Sequence, residues 1–401
     1  MNISKNIYGK IVWCVYVFYL FSIVAFGDRA EYYMLSNLSF LILAGLMVVK
    51  IISSHDLRLP THLLIFLPFV VYSFVSCIWS KKADETITRS ITVLEIFALQ
   101  VVLAWYLERT GEIVRYIYGI AVAGIVIALY VVNTYGITKL QSMVADDMRV
   151  GGEIVNENTL AIFLALSAVI LFFQYSETKK IIYIVIFVVL VVLNVITGSK
   201  KGLIDLAIGI FLVLFFASMN DRDKKNRLLK WTVIIILVVG IVYFAWQLPI
   251  FDVVRSRFEL MFGFLSGKSG TIDYSTQERK KMIEEGLKQF YKTPILGMGI
   301  GATSYLTIQF LGRSTYLHNN YIELLATGGV VGTLFYYYSI LKIGVKNWNN
   351  RQGSFVNQCS FIILIIILIN DFAAVQYFSK FTYILFAIAI AASNDGKLKR
   401  N

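Results

Sequence analysis

The sequence predicts an all-α integral membrane protein of about twelve transmembrane helices, with one long, partly helical extracytoplasmic loop between the ninth and the tenth. Three observations lead there. Of 401 residues, 58% are hydrophobic and 15% charged, and a mean hydropathy of +0.70 leaves too little polar surface to cover a soluble domain. Apolar runs of roughly 16 to 22 residues recur from end to end, each long enough to cross a bilayer core as a helix. Between the ninth and tenth runs the apolar pattern stops for roughly seventy residues, in a chain whose other connections are mostly short.

The predicted spans are Ile11–Phe26, Met34–Ile52, Leu63–Trp79, Ile91–Tyr106, Ile113–Val132, Leu160–Tyr175, Ile181–Ile196, Leu203–Met219 and Trp231–Gln247, then Tyr321–Leu341, Phe355–Asn370 and Phe378–Ala392. The first lacks a small-residue cleavage pattern and reads as a retained helix, not a signal peptide. Three parts follow: residues 1–247 with spans one to nine, the loop 248–317, and residues 318–401 with the last three spans. Cys14, Cys77 and Cys359 lie far apart inside apolar spans, without a metal or disulfide pattern, and read as core filler.

Orientation follows from the basic residues of the connections, since cytoplasmic loops retain an excess of Lys and Arg. The run 221–227, Lys342, Lys346, Arg351 and the tail 397–400 fall on the side of the amino terminus, which makes that side cytoplasmic. Much of the net charge of +12 is thereby explained by topology and by attraction to anionic lipid headgroups, with no nucleic-acid partner implied.

The long loop then lies outside, and it has structure of its own. Apolar side chains recur at helical spacing over Phe251–Leu265, and Ser275-Thr276-Gln277-Glu278 is a capping-box start for a helix to about Tyr291. Met282, Ile283, Leu287 and Phe290 give that helix an apolar stripe to rest on the membrane or the bundle, leaving Arg279, Lys280, Lys281, Lys288 and Lys292 on the remaining faces. Such cations form either a solvated face or the lining of a cavity. After Pro294, the glycines of Leu296-Gly297-Met298-Gly299-Ile300-Gly301 either let the chain fold back or aim N–H groups at an anion. They are no nucleotide fingerprint, because no βαβ unit surrounds them.

At the loop's end stands His318, followed by Asn319, Asn320 and an apolar segment containing Gly328, Gly329 and Gly332. A histidine where a polar loop meets a span is either an interfacial polar residue or a base that titrates near working pH. Taken with Arg279, the stretch from Thr293 to Gly301, Trp79-Ser80 with Arg89, Arg149-Val150-Gly151-Gly152 leading to Asn158, and Thr197-Gly198-Ser199-Lys200-Lys201-Gly202, the order and spacing resemble the O-antigen ligase and polysaccharide polymerase superfamily. The resemblance covers Trp79 to Gly332. One departure is Ser199-Lys200, where members commonly carry Ser-Arg; Lys neutralises a phosphate but lacks the planar fork.

The resemblance implies a glycosyltransferase of the bacterial inner membrane, acting on its outer face. It moves a glycan from a polyprenyl carrier, an undecaprenyl diphosphate-linked oligosaccharide, to a glycan or lipid-linked acceptor, without nucleotide sugar, metal or other cofactor. His318 is the expected general base and Arg279, with Lys200, the expected stabiliser of the departing diphosphate. Lys201, Arg313, Arg149, Asn158, Arg89 and Asn319 are the further substrate-binding candidates. Loop polarity explains Arg149 and Asn158 equally well, and interfacial snorkelling explains Arg89. Membrane lipids, a chain-length regulator and a flippase of the same pathway are the implied partners. The expected reaction is polymerisation of lipid-linked repeats, with ligation to lipid A core or another surface acceptor as the alternative. A transporter is the competing class, but it would place ionisable residues at the midplane of two similar halves; Glu95, Asp205, Glu323 and Asp371 lie mostly near span ends and no such repeat is apparent.

Overall fold

The computed structural model describes residues 2–27, 29–54, 58–145, 149–151, 156–219 and 274–398. Among these there are helices and no strands. In chain order they are α1 (Asn2–Ala25), α2 (Tyr33–Ile52), α3 (Leu67–Val75), α4 (Ala83–Thr110), α5 (Ile113–Ala145), α6 (Glu157–Thr178), α7 (Ile181–Ile196), α8 (Lys200–Met219), α9 (Tyr274–Lys292), α10 (Thr303–Leu311), α11 (Asn320–Asn349), α12 (Phe355–Asn370) and α13 (Lys380–Leu398). Short 3₁₀ turns flank α3, so that residues 61–78 act as one apolar span.

Among the described residues, eight segments are long and apolar enough to cross a membrane, and α7, α12 and α13 are shorter apolar helices. The predicted spans other than the ninth overlap these helices, α7 and α12 with the same bounds. Several helices exceed the prediction, among them α4, α5 and α11. α4 begins at Ala83, well before Ile91, because its first two turns carry Asp84, Glu85 and Arg89 and escape a hydropathy reading. α5 continues to Ala145 past a non-helical Gly136, and α11 to Asn349. The ninth predicted span, the basic run 221–227 and the helix over Phe251–Leu265 lie outside the described residues.

The chain forms two compact units. The first, Met1–Leu43 with Val114–Thr271, is organised on α6, which packs against α7 and α8. Asn156 starts α6 by accepting the N–H groups of Asn158 and Thr159 at 3.0 and 3.2 Å, supplying partners that the first turn of a helix lacks. Ser167 of α6 donates to the Ile120 carbonyl of α5 at 3.1 Å.

The second unit, Ala44–Ile113 with Ile272–Asn401, packs α4 on α3 and α13, and α11 on α3, α9, α12 and α13. Its organising feature is a break in α11 at Gly329 (φ 59°, ψ −165°). A break in an apolar helix frees backbone groups that a bilayer cannot satisfy. Here the glycine-rich segment satisfies them. The N–H groups of Met298 and Gly299 donate to the Ala326 and Thr327 carbonyls at 3.1 and 2.9 Å, while those of Val330 and Val331 donate to the Pro294 and Ile295 carbonyls at 2.8 and 3.2 Å. The Tyr72 hydroxyl lies 2.8 Å from the carbonyls of both Leu296 and Gly328. The glycines thus serve to fold the chain back: the N–H groups of Gly297, Met298, Gly299 and Ile300 all bind protein acceptors.

A side chain at Gly329 would demand a left-handed backbone and place its Cβ 2.4 Å from the Ile295 carbonyl oxygen. Gly329→Ala is therefore expected to destabilise the second unit by about 2 to 4 kcal/mol. A lowered midpoint of thermal unfolding for the purified variant in nanodiscs checks this; an unchanged midpoint would show that the break is not under constraint.

Candidate functional site

His318 closes the turn that leads into α11, and its own backbone is left-handed at φ 55°. Such a conformation costs a non-glycine residue roughly 1 to 3 kcal/mol and persists only where the surroundings over-determine it. They do so on three sides. Asn319 caps α11, its side-chain oxygen accepting the Ile322 N–H at 3.0 Å and its amide donating to the Phe372 carbonyl at 3.1 Å. Asn320, fully buried, sends its backbone N–H to the Asp371 carbonyl at 2.7 Å. Its amide donates to Asp371 Oδ2 and to the Tyr337 hydroxyl, and its oxygen accepts the N–H groups of Gln376 and Tyr377 at 2.9 and 3.1 Å. On the other side of the histidine, Leu317 donates its N–H to buried Glu323 at 2.8 Å, and Thr303 bonds the same carboxylate. The imidazole itself is half-buried, its centroid 4.2 Å from the Tyr316 ring.

α9 is set beside this turn by shape. Met282 is buried in a cluster with Met298, Ala302, Leu306, Leu317 and Ala326, and Gly286 lies so close to Ile322 and Leu317 that a Cβ would sit 2.4 and 2.8 Å from their methyl carbons. Of the apolar stripe read from the sequence, Met282 is buried against the protein, while Ile283, Leu287 and Phe290 are half-buried. Arg279, Met282 and Gly286 share one face, which puts Arg279 about 10 Å along the helix from Gly286. Arg279 is exposed. The neighbouring lysines have local partners: Lys288 with Glu285 at 2.7 Å, Lys280 with Glu284 at 3.9 Å, and Lys281 with the Phe310 carbonyl at 3.1 Å. Arg313 pairs with Glu278 and ties the turn to α9, so a phosphate would have to compete for it.

Arg89, also in the second unit, lies with its guanidinium 3.6 Å from the centroid of Phe378. Stacking on that ring, in place of simple snorkelling, fixes it. The Trp79-Ser80 motif meets the glycine-rich segment: the Trp79 indole donates to the Leu296 carbonyl at 3.2 Å, the Lys81 N–H to the Met298 carbonyl at 3.0 Å, and Ser80 packs on Gly299.

The remaining candidates gather in the first unit. Arg149 donates to the Thr197 carbonyl at 3.0 Å and to Asn158 Oδ1 at 3.3 Å, and pairs with Glu157 at 3.3 Å. Asn158 Oδ1 also accepts the Ser199 hydroxyl at 2.9 Å. These contacts fasten the Thr197-Gly198-Ser199 turn from which α8 begins at Lys200. Arg149 and Asn158 are thus holders of the turn, with half-buried Lys200 and Lys201 presented by it. The structure gathers His318, Asn319, Arg279, Arg313 and Arg89 in one unit and Lys200, Lys201, Arg149 and Asn158 in the other.

Sequence reasoning missed Asn320 as a holder of the histidine turn, and with it Tyr337 and Asp371. The only signal was an ionisable residue at the end of a span. Asp371 is buried, and burial pushes its carboxyl up to about 8 against the pull of its bonds from Tyr337 and Asn320. Its Oδ1 has no hydrogen-bond partner among the described residues. An unfolded Asp titrates near 3.9, so between about pH 4 and 8 the folded protein binds the extra proton and stability falls as pH rises. Asp371→Asn keeps the neutral form, and is expected to flatten the decline in Tm that the wild type shows across that window. Parallel slopes for the two proteins would refute a neutral Asp371.

Residues 185–337 match the family model described as O-antigen ligase, a segment that begins within α7 and passes Lys200, Arg279, His318 and the break in α11. No curated protein matches the chain. Over this segment the chain is similar to O-antigen ligase, which supports the resemblance to the O-antigen ligase-like superfamily of membrane proteins.

Proposed function

We propose that the protein is a bacterial inner-membrane glycosyltransferase that polymerises oligosaccharide repeats carried on a polyprenyl diphosphate, working at the outer face. The observation that carries this reading is His318, held half-buried in a left-handed turn by Asn319, Asn320 and Glu323. A sugar hydroxyl titrates far above neutrality and must lose its proton as it attacks, and imidazole is the side chain suited to take it. In the proposed step the acceptor oxygen bonds to the anomeric carbon, its proton passes to His318, and the carbon–oxygen bond to the diphosphate breaks with its electron pair on the leaving group. Attack from the side opposite the diphosphate inverts the anomeric carbon. Arg279, on α9, and Lys200, at the start of α8, are the cations proposed to meet the charge that develops on the diphosphate, which makes the reaction independent of a metal.

Removing one such cation is expected to cost about 3 kcal/mol, or roughly a hundredfold in rate. Lys200→Arg, which restores the residue common in the family, is expected to keep activity where Lys200→Ala loses it. A second reading, ligation of the finished glycan to lipid A core or another surface acceptor, is favoured by the description of the matching family model.

Gels of surface polysaccharide and carrier-linked glycan, from a deletion strain complemented with wild type or His318→Ala, separate the readings. Single repeat units in the His318→Ala strain are the expected result. Long chains left on the carrier beside an unmodified acceptor would establish the ligase reading, and a wild-type ladder would remove His318 from the chemistry.

A further inference from the structure

α4 is long and apolar enough to span a membrane, yet Asp84, Thr88, Thr92 and Glu95 follow one another at helical spacing along one face, over three turns. Asp84, Thr88 and Glu95 are exposed and Thr92 half-exposed. The neighbouring face, with Ile87, Ile91 and Leu94 each nearly half exposed, suits lipid; a stripe with a carboxylate at its inner end does not. Thr88 and Thr92 donate to carbonyls of their own helix, Asp84 at 2.9 Å and Thr88 at 3.1 Å, which leaves their oxygens able to accept from a ligand.

At the outer end of the stripe is a cleft of about 270 Å³ lined by Asp84, Glu85, Thr88, Arg89, Thr92 and Gly301. Gly301 forms its wall so closely that a Cβ there would lie 2.5 Å from Arg89 Cβ. Stacked on Phe378, Arg89 keeps its in-plane N–H donors at its edge. The cleft therefore offers acceptors from two carboxylates and two hydroxyls, and donors from one guanidinium. That mixture fits the hydroxyls of a sugar ring. It does not fit a diphosphate, because two carboxylates outweigh one guanidinium. Arg89 acts electrostatically on Glu323, the carboxylate that also holds the Leu317 N–H beside His318, so the cleft adjoins the turn of the proposed base.

We propose that this cleft and the stripe below it form the acceptor-glycan subsite, taking a neutral or amino sugar and disfavouring acidic ones. The assignment of the acceptor side rests on the glycosyl-transfer reading above; the saccharide cleft itself is tested without turnover. In a background with the three native cysteines replaced by serine, Thr92→Cys, Ile91→Cys and Tyr291→Cys are each purified as full chains in nanodiscs and treated with a charged thiol reagent. The probes are oligosaccharides released by mild acid from the source strain's surface polysaccharide, and inorganic pyrophosphate. Expected are labelling at Thr92→Cys and little at Ile91→Cys, with the oligosaccharides slowing the Thr92→Cys reaction severalfold, pyrophosphate not slowing it, and neither affecting the exposed control at Tyr291→Cys. Absence of labelling at Thr92→Cys alone would mean a face sealed from water and overturns the proposal. Labelling that the oligosaccharides do not slow, or that pyrophosphate slows instead, overturns it as a saccharide subsite. Because the readout is protection of a thiol, it stands or falls independently of the His318→Ala gel.

Discussion

The second unit depends on the backbone break at Gly329 and on the segment that satisfies it. A helix interrupted inside an apolar span exposes carbonyls on one side of the break and N–H groups on the other, and each needs a partner from the protein. Residues 294–299 supply both kinds in register, and the Tyr72 hydroxyl reaches carbonyls on each of the two segments. Once this pairing is made, the places of Trp79, Ser80 and α10 follow, because each touches or continues the returning segment. Motifs at Trp79-Ser80, Gly297–Gly301 and Gly328-Gly329 are parts of one packing solution, and their glycines are there for close approach more than for ligand binding.

The same principle operates at the histidine turn. His318 sits in a conformation that the chain would not choose locally, and Asn320 uses its backbone N–H and both ends of its side-chain amide to bind the α12–α13 connection that holds the turn in place. Burying Asp371 opposite that amide brings a carboxyl into surroundings that favour its neutral form. The histidine is held by hydrogen bonds on both flanks of its backbone while its ring remains half-open.

Several basic residues that look alike in sequence separate once their neighbours are known. Arg149 is surrounded by acceptors and fastens the turn before Lys200. Arg313 is paired with Glu278, and Lys280, Lys281 and Lys288 of α9 pair along their own helix or with the Phe310 carbonyl. Arg279 stands exposed on the docked face of α9, and Arg89 is flattened on Phe378 beside a cleft. Charge alone did not sort these residues; the placement of carboxylates and carbonyls around each one did.

Composition and the length of the apolar runs determined that this chain is built from helices able to cross a membrane, because in a bilayer a single apolar segment satisfies its backbone only as a helix. That is why α7 and α12 could be bounded to the residue from hydropathy, and why a helix could be placed close to the bounds of α9. The position of His318 at the head of α11 was legible for the same local reason. The tertiary structure decided what local patterns cannot encode. α10 has no side-chain cap to announce it, the polar first turns of α4 do not register as a span, and the break in α11 lies within a run that hydropathy reads as continuous. Most of all, the partners of the break and of the histidine turn lie up to 256 residues away in the chain. A hydrogen bond needs its partner within about 3 Å, and only the packed structure brings such distant residues that close.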